Sequence, residues 1–175
     1  MEGTFHILTN RVSFSLLILW LVTASLGWWS ALSSAQVMGD EAELARLRAK
    51  AEDAIAGDDA DSAAMMMGRA ALLAAQLAKR QDGINSGHYR GWESLFRSQE
   101  HTYRAMALFR RAGGELPASS GVCGSLALAD ASLRRAVESL EHSQSTLIDD
   151  AAPLKETSEV WHATIESLIT DYQCP

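Results

Sequence analysis

The residue pair with the clearest metal-binding spacing is Glu159 and His162, which lie three positions apart. In a helix this spacing places a carboxylate and an imidazole on one face, as in the di-iron sites of helical bundles. Such a site needs further inward-facing ligands, and the neighbouring stretch supplies only Glu138, Glu141 and His142 as substitutes. A small bundle that binds copper or iron is therefore the alternative function, and solvated polar residues are the simpler interpretation.

Three consecutive methionines, Met65 to Met67, are a second possible metal-binding feature. Thioether sulfur suits Cu(I). However, consecutive residues of a helix point about 100° apart, so three adjacent sulfurs do not easily converge on one ion. Packing in the core is the role we expect for them.

Catalytic sequence motifs are missing from the chain. It contains no glycine-rich phosphate loop, no GxSxG or HExxH motif and no CxxCH haem-attachment sequence. The dipeptides Glu100-His101 and Glu141-His142 are not preformed acid/base pairs, because adjacent helical residues do not face each other. We therefore expect a protein that is not an enzyme and that carries no cofactor.

Arginines give the middle of the chain a locally basic character, although the formal net charge is −7. An acidic chain without a basic stripe is repelled by phosphate backbones, which argues against nucleic-acid binding. Most of these arginines are expected to lie on a solvated face. If they converge in space, they form a surface for an acidic segment of a protein partner. The residues concerned are Arg97, Arg104, Arg110, Arg111, Arg134 and Arg135.

The start of the chain predicts export. No side chain from Val12 to Gly39 carries a formal charge, and a small-residue site, Ser33-Ser34-Ala35, precedes Gln36. Residues 1–35 are therefore predicted to be a signal peptide that is cleaved after Ala35. The alternative is an uncleaved membrane anchor over residues 12–30, close to the roughly 20 residues that span a bilayer. Either way, residues 36–175 are predicted to be a periplasmic or secreted domain.

The chain contains two cysteines, Cys123 and Cys174, both beyond the export segment. An even pair of thiols in an oxidising compartment usually forms a disulfide. The last two predicted helices have nearly equal lengths, so an antiparallel hairpin places the two cysteines at the same end. We predict that a disulfide clamps this end.

Apolar spacing predicts an all-α fold, a compact bundle of about five antiparallel helices behind the N-terminal hydrophobic helix. Alanine, leucine, glutamate and arginine dominate the periodic stretches, and the chain contains three prolines. About 140 residues remain after export, enough for one domain with its own core. The helices are predicted at about 40–56, 60–81, 88–112, 122–147 and 152–173.

Residues from about 41 to 117 resemble tetratricopeptide helical hairpins. Gly57-Asp58, Ala63, Met67, Arg69-Ala70 and Leu72 are similar to the second helix of such a repeat. In a second unit, Ala105, Phe109 and Ala112, followed by Pro117, are similar to the second helix, and Trp92 and Phe96 lie where the repeat places large apolar residues in its first helix. The resemblance implies stacked helical hairpins with a concave surface that binds a peptide or protein. We therefore predict an exported, non-enzymatic module for protein interaction or envelope assembly.

Overall fold

The computed structural model describes residues 39–81, 83–143 and 148–175, and its regular secondary structure there is entirely helical. This confirms the all-α prediction. The helices are α1 (39–56), α2 (Ala60–Arg80), α3 (Ile84–Arg111), α4 (Ser120–Ser143) and α5 (Ile148–Asp171). Residues Ala42–Pro175 form one compact unit. The predicted export segment, with its cleavage site at Ala35 and Gln36, lies outside the described residues. Among the helices that are described, none combines the length and apolar character needed to cross a bilayer.

Two helices, α3 and α5, begin about one turn earlier than apolar spacing predicts. α3 starts at Ile84 rather than near residue 88, because Gly83 turns the chain at a positive φ of 64°. The Ser86 hydroxyl then donates a hydrogen bond of 2.9 Å to the carbonyl of Ala78, near the end of α2. A short turn at Gly83 thus joins α2 to α3. α5 starts at Ile148 rather than near residue 152, and Pro153 lies inside this helix.

α2 is held at its start by a side-chain cap and packs through alanines. The Asp59 carboxylate accepts a hydrogen bond of 2.9 Å from the backbone amide of Ser62. Hydrogen bonding by the Ser62 side chain and backbone lowers the pKa of Asp59. The buried face centres on Ala63, Met67, Ala70, Ala74 and Leu77. Met66 and Leu73, which lie beside this face, are half-buried.

α3 is the central helix, with α2 packed along one side and α4 along the other. Leu95, Phe96 and Tyr103 of this aromatic-rich helix are buried in the core. Gly91 allows a close approach to the last two helices, since a Cβ atom there would lie 2.7 Å from Cδ2 of Leu154. One cluster of buried side chains joins α3, α4 and α5; it comprises Leu95, Ala129, Leu133, Ala136, Leu154 and Ile165.

The second unit of the tetratricopeptide resemblance lies on a single helix. Trp92, Phe96, Ala105 and Phe109 all belong to the continuous helix α3, which has no turn between them. This unit therefore does not form the two-helix hairpin that the resemblance implies. The resemblance itself stays a prediction.

α4 and α5 are joined at one end by the disulfide between Cys123 and Cys174, whose Cα atoms lie 5.4 Å apart. The backbone amide of Ala118 donates a hydrogen bond of 2.9 Å to the carbonyl of Tyr172 at this end. The Tyr172 ring also stacks on Phe109 of α3, with ring centroids 4.0 Å apart. The predicted disulfide and the antiparallel arrangement of α4 and α5 are both confirmed.

Candidate functional site

A groove runs between α2 and α3 on the exposed side of the bundle, with a volume of about 520 Å³. We call it the basic groove. Arginines and exposed apolar side chains both line it. Its lining comprises Asp61, Ala64, Met65, Gly68, Arg69, Leu72, Arg97, Glu100, Arg104, Leu108 and Arg111.

The floor of the basic groove is formed where Gly68 of α2 meets Glu100 of α3. A Cβ atom at position 68 would lie 3.2 Å from the Glu100 carboxyl carbon, so glycine gives this carboxylate its space. On α2, Met65 is 48% exposed and Leu72 is 55% exposed. Both are large apolar side chains left in solvent beside the glycine. The groove therefore has a polar floor and an apolar rim.

Glu100 is 7% exposed and binds two arginines of its own helix. Arg97 Nη1 lies 2.8 Å from Oε2, and Arg104 Nη2 lies 2.6 Å from Oε1. The spacing of three and four residues places both guanidinium groups over the same carboxylate. Because both carboxylate oxygens are paired, Glu100 holds the two arginines in place along the groove.

The basic groove carries a net positive charge inside an acidic protein. Four arginines line it, against the carboxylates of Asp61 and Glu100, which leaves two net positive charges. Arg111 Nη1 lies 2.5 Å from Asp61 Oδ2, which ties the end of α3 to the start of α2. For Arg69, the structure gives no ion pair within the described residues. Arg69 is thus an exposed positive charge that is available to a ligand.

Three of the six arginines singled out in the sequence come together in the basic groove, namely Arg97, Arg104 and Arg111. The other three lie elsewhere. Arg110 pairs with Asp58, with Nη2 3.0 Å from Oδ1. On α4, Arg134 pairs with Asp130 at 2.5 Å, and Arg135 donates a hydrogen bond to the Ser132 hydroxyl. The arginine surface of the basic groove therefore contains three of the six arginines predicted from the sequence, together with a fourth, Arg69.

His101 lies next to the groove but does not form an acid/base pair within the described residues. Burial lowers its pKa, Arg104, Arg97 and Arg135 lower it further, and Glu100 opposes this effect. The ring is therefore mainly uncharged at neutral pH. Its Nδ1 atom is buried and has no hydrogen-bond partner, so no carboxylate orients the imidazole through this nitrogen, as general base catalysis commonly requires.

The candidate metal ligands do not assemble within the part of the chain that the structure describes. No group of three or more histidine, cysteine, aspartate or glutamate side chains there could hold a metal ion. Glu159 faces Lys155 at 3.9 Å, and His162 Nδ1 lies 3.6 Å from Glu166 Oε2, both on the exposed face of α5. The side chain of His142 lies outside the described residues.

The three methionines point in different directions, as the geometry of a helix requires. Met67 is buried in the core, Met66 is half-buried, and Met65 is exposed at the rim of the basic groove. Core packing is thus correct for Met67 and wrong for Met65.

A second cavity of about 300 Å³ lies on the other side of α3, and we call it the aromatic cleft. Sequence reasoning missed it because no local pattern marks lining residues that come from four different helices. It shares no residue with the basic groove. Its lining comprises Arg48, Glu52, Met67, Gln99, Tyr103, Glu156, Thr157, Val160 and Trp161.

Comparison with known proteins gives no family for this arrangement: the chain matches no protein-family model, no curated protein sequence and no solved structure.

Proposed function

We propose that this chain is an exported, non-enzymatic helical module that binds an acidic, amphipathic segment of a partner protein in the basic groove. The observation that carries the proposal is the combination of arginines and exposed apolar side chains in one groove of 520 Å³. The export part rests on the uncharged segment at residues 12–39 and on the disulfide between Cys123 and Cys174.

Charge favours an acidic partner at this groove. The chain has a formal net charge of −7, whereas the groove has two net positive charges. An acidic segment is repelled by the net negative charge of the chain and attracted by the net positive charge of the groove, which directs it toward this surface. Glu100 fixes Arg97 and Arg104 before the partner arrives, so less side-chain entropy is lost on binding.

The apolar rim favours a helical partner. Met65 and Leu72 are seven positions apart on α2, which corresponds to about 10 Å along the helix. Helices that bind in grooves present apolar anchors at positions i, i+3, i+4 and i+7, so two anchors two turns apart match this spacing. The first unit of the tetratricopeptide resemblance includes Arg69 and Leu72 of this groove, and tetratricopeptide hairpins bind peptides, which supports the same function.

Site-specific photocrosslinking tests the proposal in the compartment where the protein works. A photoreactive amino acid is placed at Leu72, and the matched control carries it at Leu128 of α4, which is 53% exposed and is not part of the groove lining. We expect a discrete adduct with a partner from position 72 and none from position 128. Equal adducts at both positions, or none at position 72, would contradict the proposal.

A charge reversal then tests whether the positive charge of the basic groove attracts the partner. Arg69→Glu removes the exposed groove cation without breaking an ion pair of the described residues. Arg90→Glu makes the same change in charge at an exposed position of α3 outside the groove. Arg69→Glu should reduce the adduct from position 72 at least fivefold, and Arg90→Glu should leave it unchanged. If both variants reduce it alike, the groove does not direct the partner.

A further inference from the structure

The aromatic cleft contains hydrogen-bond acceptors and negative charge that the described protein residues leave unused. Side chains of α1, α2, α3 and α5 line it, and its volume of about 300 Å³ lies at the lower end of the range for small-molecule sites. It is separate from the basic groove, so what binds here does not depend on the proposed protein partner.

The first acceptor is Gln99 of α3, which lines the cleft and is 4% exposed. Its Oε1 atom is buried and has no hydrogen-bond donor within the described residues. Buried polar atoms in native proteins are nearly always paired, so an unpaired amide at a cavity wall indicates a missing donor. A ligand with an N–H group would supply that donor.

Two carboxylates add negative charge at the same cleft. Glu52 on α1 and Glu156 on α5 are both exposed, and neither lies within ion-pair distance of a described cation. The single cation of the lining is Arg48, whose guanidinium carbon lies 5.3 Å from the ring centroid of Trp92. The charged side chains of the lining thus carry a net charge of −1. Arg48 itself contacts the ring of Trp92, which does not line the cleft.

Two aromatic rings complete the wall. Tyr103 and Trp161 meet edge to face, with ring centroids 5.4 Å apart and an interplanar angle of 85°. The faces of such rings attract cations. Burial, with a contribution from the Glu52 carboxylate, raises the pKa of Tyr103 to about 12, so the phenol stays protonated. Its hydroxyl therefore does not add a negative charge to the site.

From the unpaired Gln99 amide, the two free carboxylates and the aromatic wall, we propose that the aromatic cleft binds a small alkylammonium ligand. The ammonium N–H groups donate hydrogen bonds to Oε1 of Gln99, and the carboxylates of Glu52 and Glu156 balance the positive charge of the ligand. The alkyl chain lies against Tyr103 and Trp161. A primary ammonium fits better than a quaternary one, because only the former donates hydrogen bonds.

Isothermal titration of the full chain, with the disulfide oxidised, tests this with three probes. 1,4-Diaminobutane should bind, tetramethylammonium should bind at least fivefold more weakly, and the neutral 1,4-butanediol should not bind at millimolar concentration. Binding of the diol as tight as that of the diamine would overturn the proposal, as would no binding of the diamine. Preference for tetramethylammonium would assign the site to the aromatic rings alone and would also refute the proposed role of Gln99.

Variants separate this site from general attraction to an acidic protein. Glu52→Gln, Glu156→Gln and Gln99→Met should each weaken 1,4-diaminobutane binding at least fivefold. Glu115→Gln, an exposed residue outside the cleft, makes the same charge change as the first two and should have no effect. Glu52 and Glu156 are exposed, so their loss does not disturb the fold. Equal weakening by Glu115→Gln would show that the diamine binds the surface without a site.

Discussion

Replacing Cys123 and Cys174 together with serine should lower the free energy of unfolding by about 4 kcal/mol. The two cysteines are 51 positions apart in the sequence. In the chain-entropy model, a bridge closing such a loop removes about 14 cal/mol/K from the unfolded chain, which gives about 4 kcal/mol at 25 °C. The folded end of the bundle keeps its other contacts, since Phe109 stacks on Tyr172 and the amide of Ala118 donates to the Tyr172 carbonyl. The effect should therefore arise mainly in the unfolded state.

Urea denaturation followed by far-ultraviolet circular dichroism measures this loss. With a slope of about 2 kcal/mol per molar urea, the midpoint should fall by about 2 M, while the spectrum of the folded variant stays unchanged. A reducing agent should produce the same shift in the natural chain and no shift in the double serine variant. A loss below about 1 kcal/mol would refute the reasoning, because the unfolded chain would then gain little freedom from opening the loop.

Three further outcomes follow from particular residues. Gly91→Ala should destabilise the fold by about 1–2 kcal/mol in thermal or urea unfolding, because its Cβ would lie 2.7 Å from Leu154 Cδ2. Gly124→Ala, with no atom near the added Cβ, should instead stabilise by up to about 1 kcal/mol. In a spectrophotometric titration, one tyrosine, Tyr103, should ionise near pH 12. Because the pKa of Tyr103 in the folded state exceeds the ordinary value of 10, the free energy of unfolding should fall between about pH 10 and 12. In the variant Tyr103→Phe, the ionisation near pH 12 should disappear from the titration, which checks the assignment. Intact-mass analysis of the exported protein should show a chain that begins at Gln36, and a retained N-terminus would support the anchor instead.

The helices that the sequence predicts best are those with a single apolar stripe. Leu126, Ala129, Leu133 and Ala136 repeat at helical spacing, and all four are buried. The disulfide followed from helix lengths, because antiparallel helices of similar length bring their opposite ends together. These features depend on local periodicity, which a sequence carries directly.

The features that escaped prediction depend on how helices meet. Nothing in the sequence around Gly68 shows that it faces Glu100, since this depends on where α2 crosses α3. The spacing of Arg97, Glu100 and Arg104 was visible, and it predicts one carboxylate shared by two arginines on a helix. What it could not show is that the same carboxylate forms the floor of a groove beside exposed Met65. The aromatic cleft required four helices to be placed together and had no local pattern.

The central helix explains why neighbouring residues in the sequence belong to different sites. Gln99 and Glu100 are adjacent, yet one lines the aromatic cleft and the other lines the basic groove. Tyr103 and Arg104 repeat this division one turn later. Successive residues of a helix point about 100° apart, so each neighbouring pair is divided between two sides of α3. A dipeptide such as Glu100-His101 is therefore a poor guide to chemistry here, whereas residues three or four positions apart share a site. The two proposals are independent because the basic groove and the aromatic cleft share no lining residue, so a charge change at Arg69 in the groove and the loss of an acceptor at Gln99 in the cleft act at separate sites.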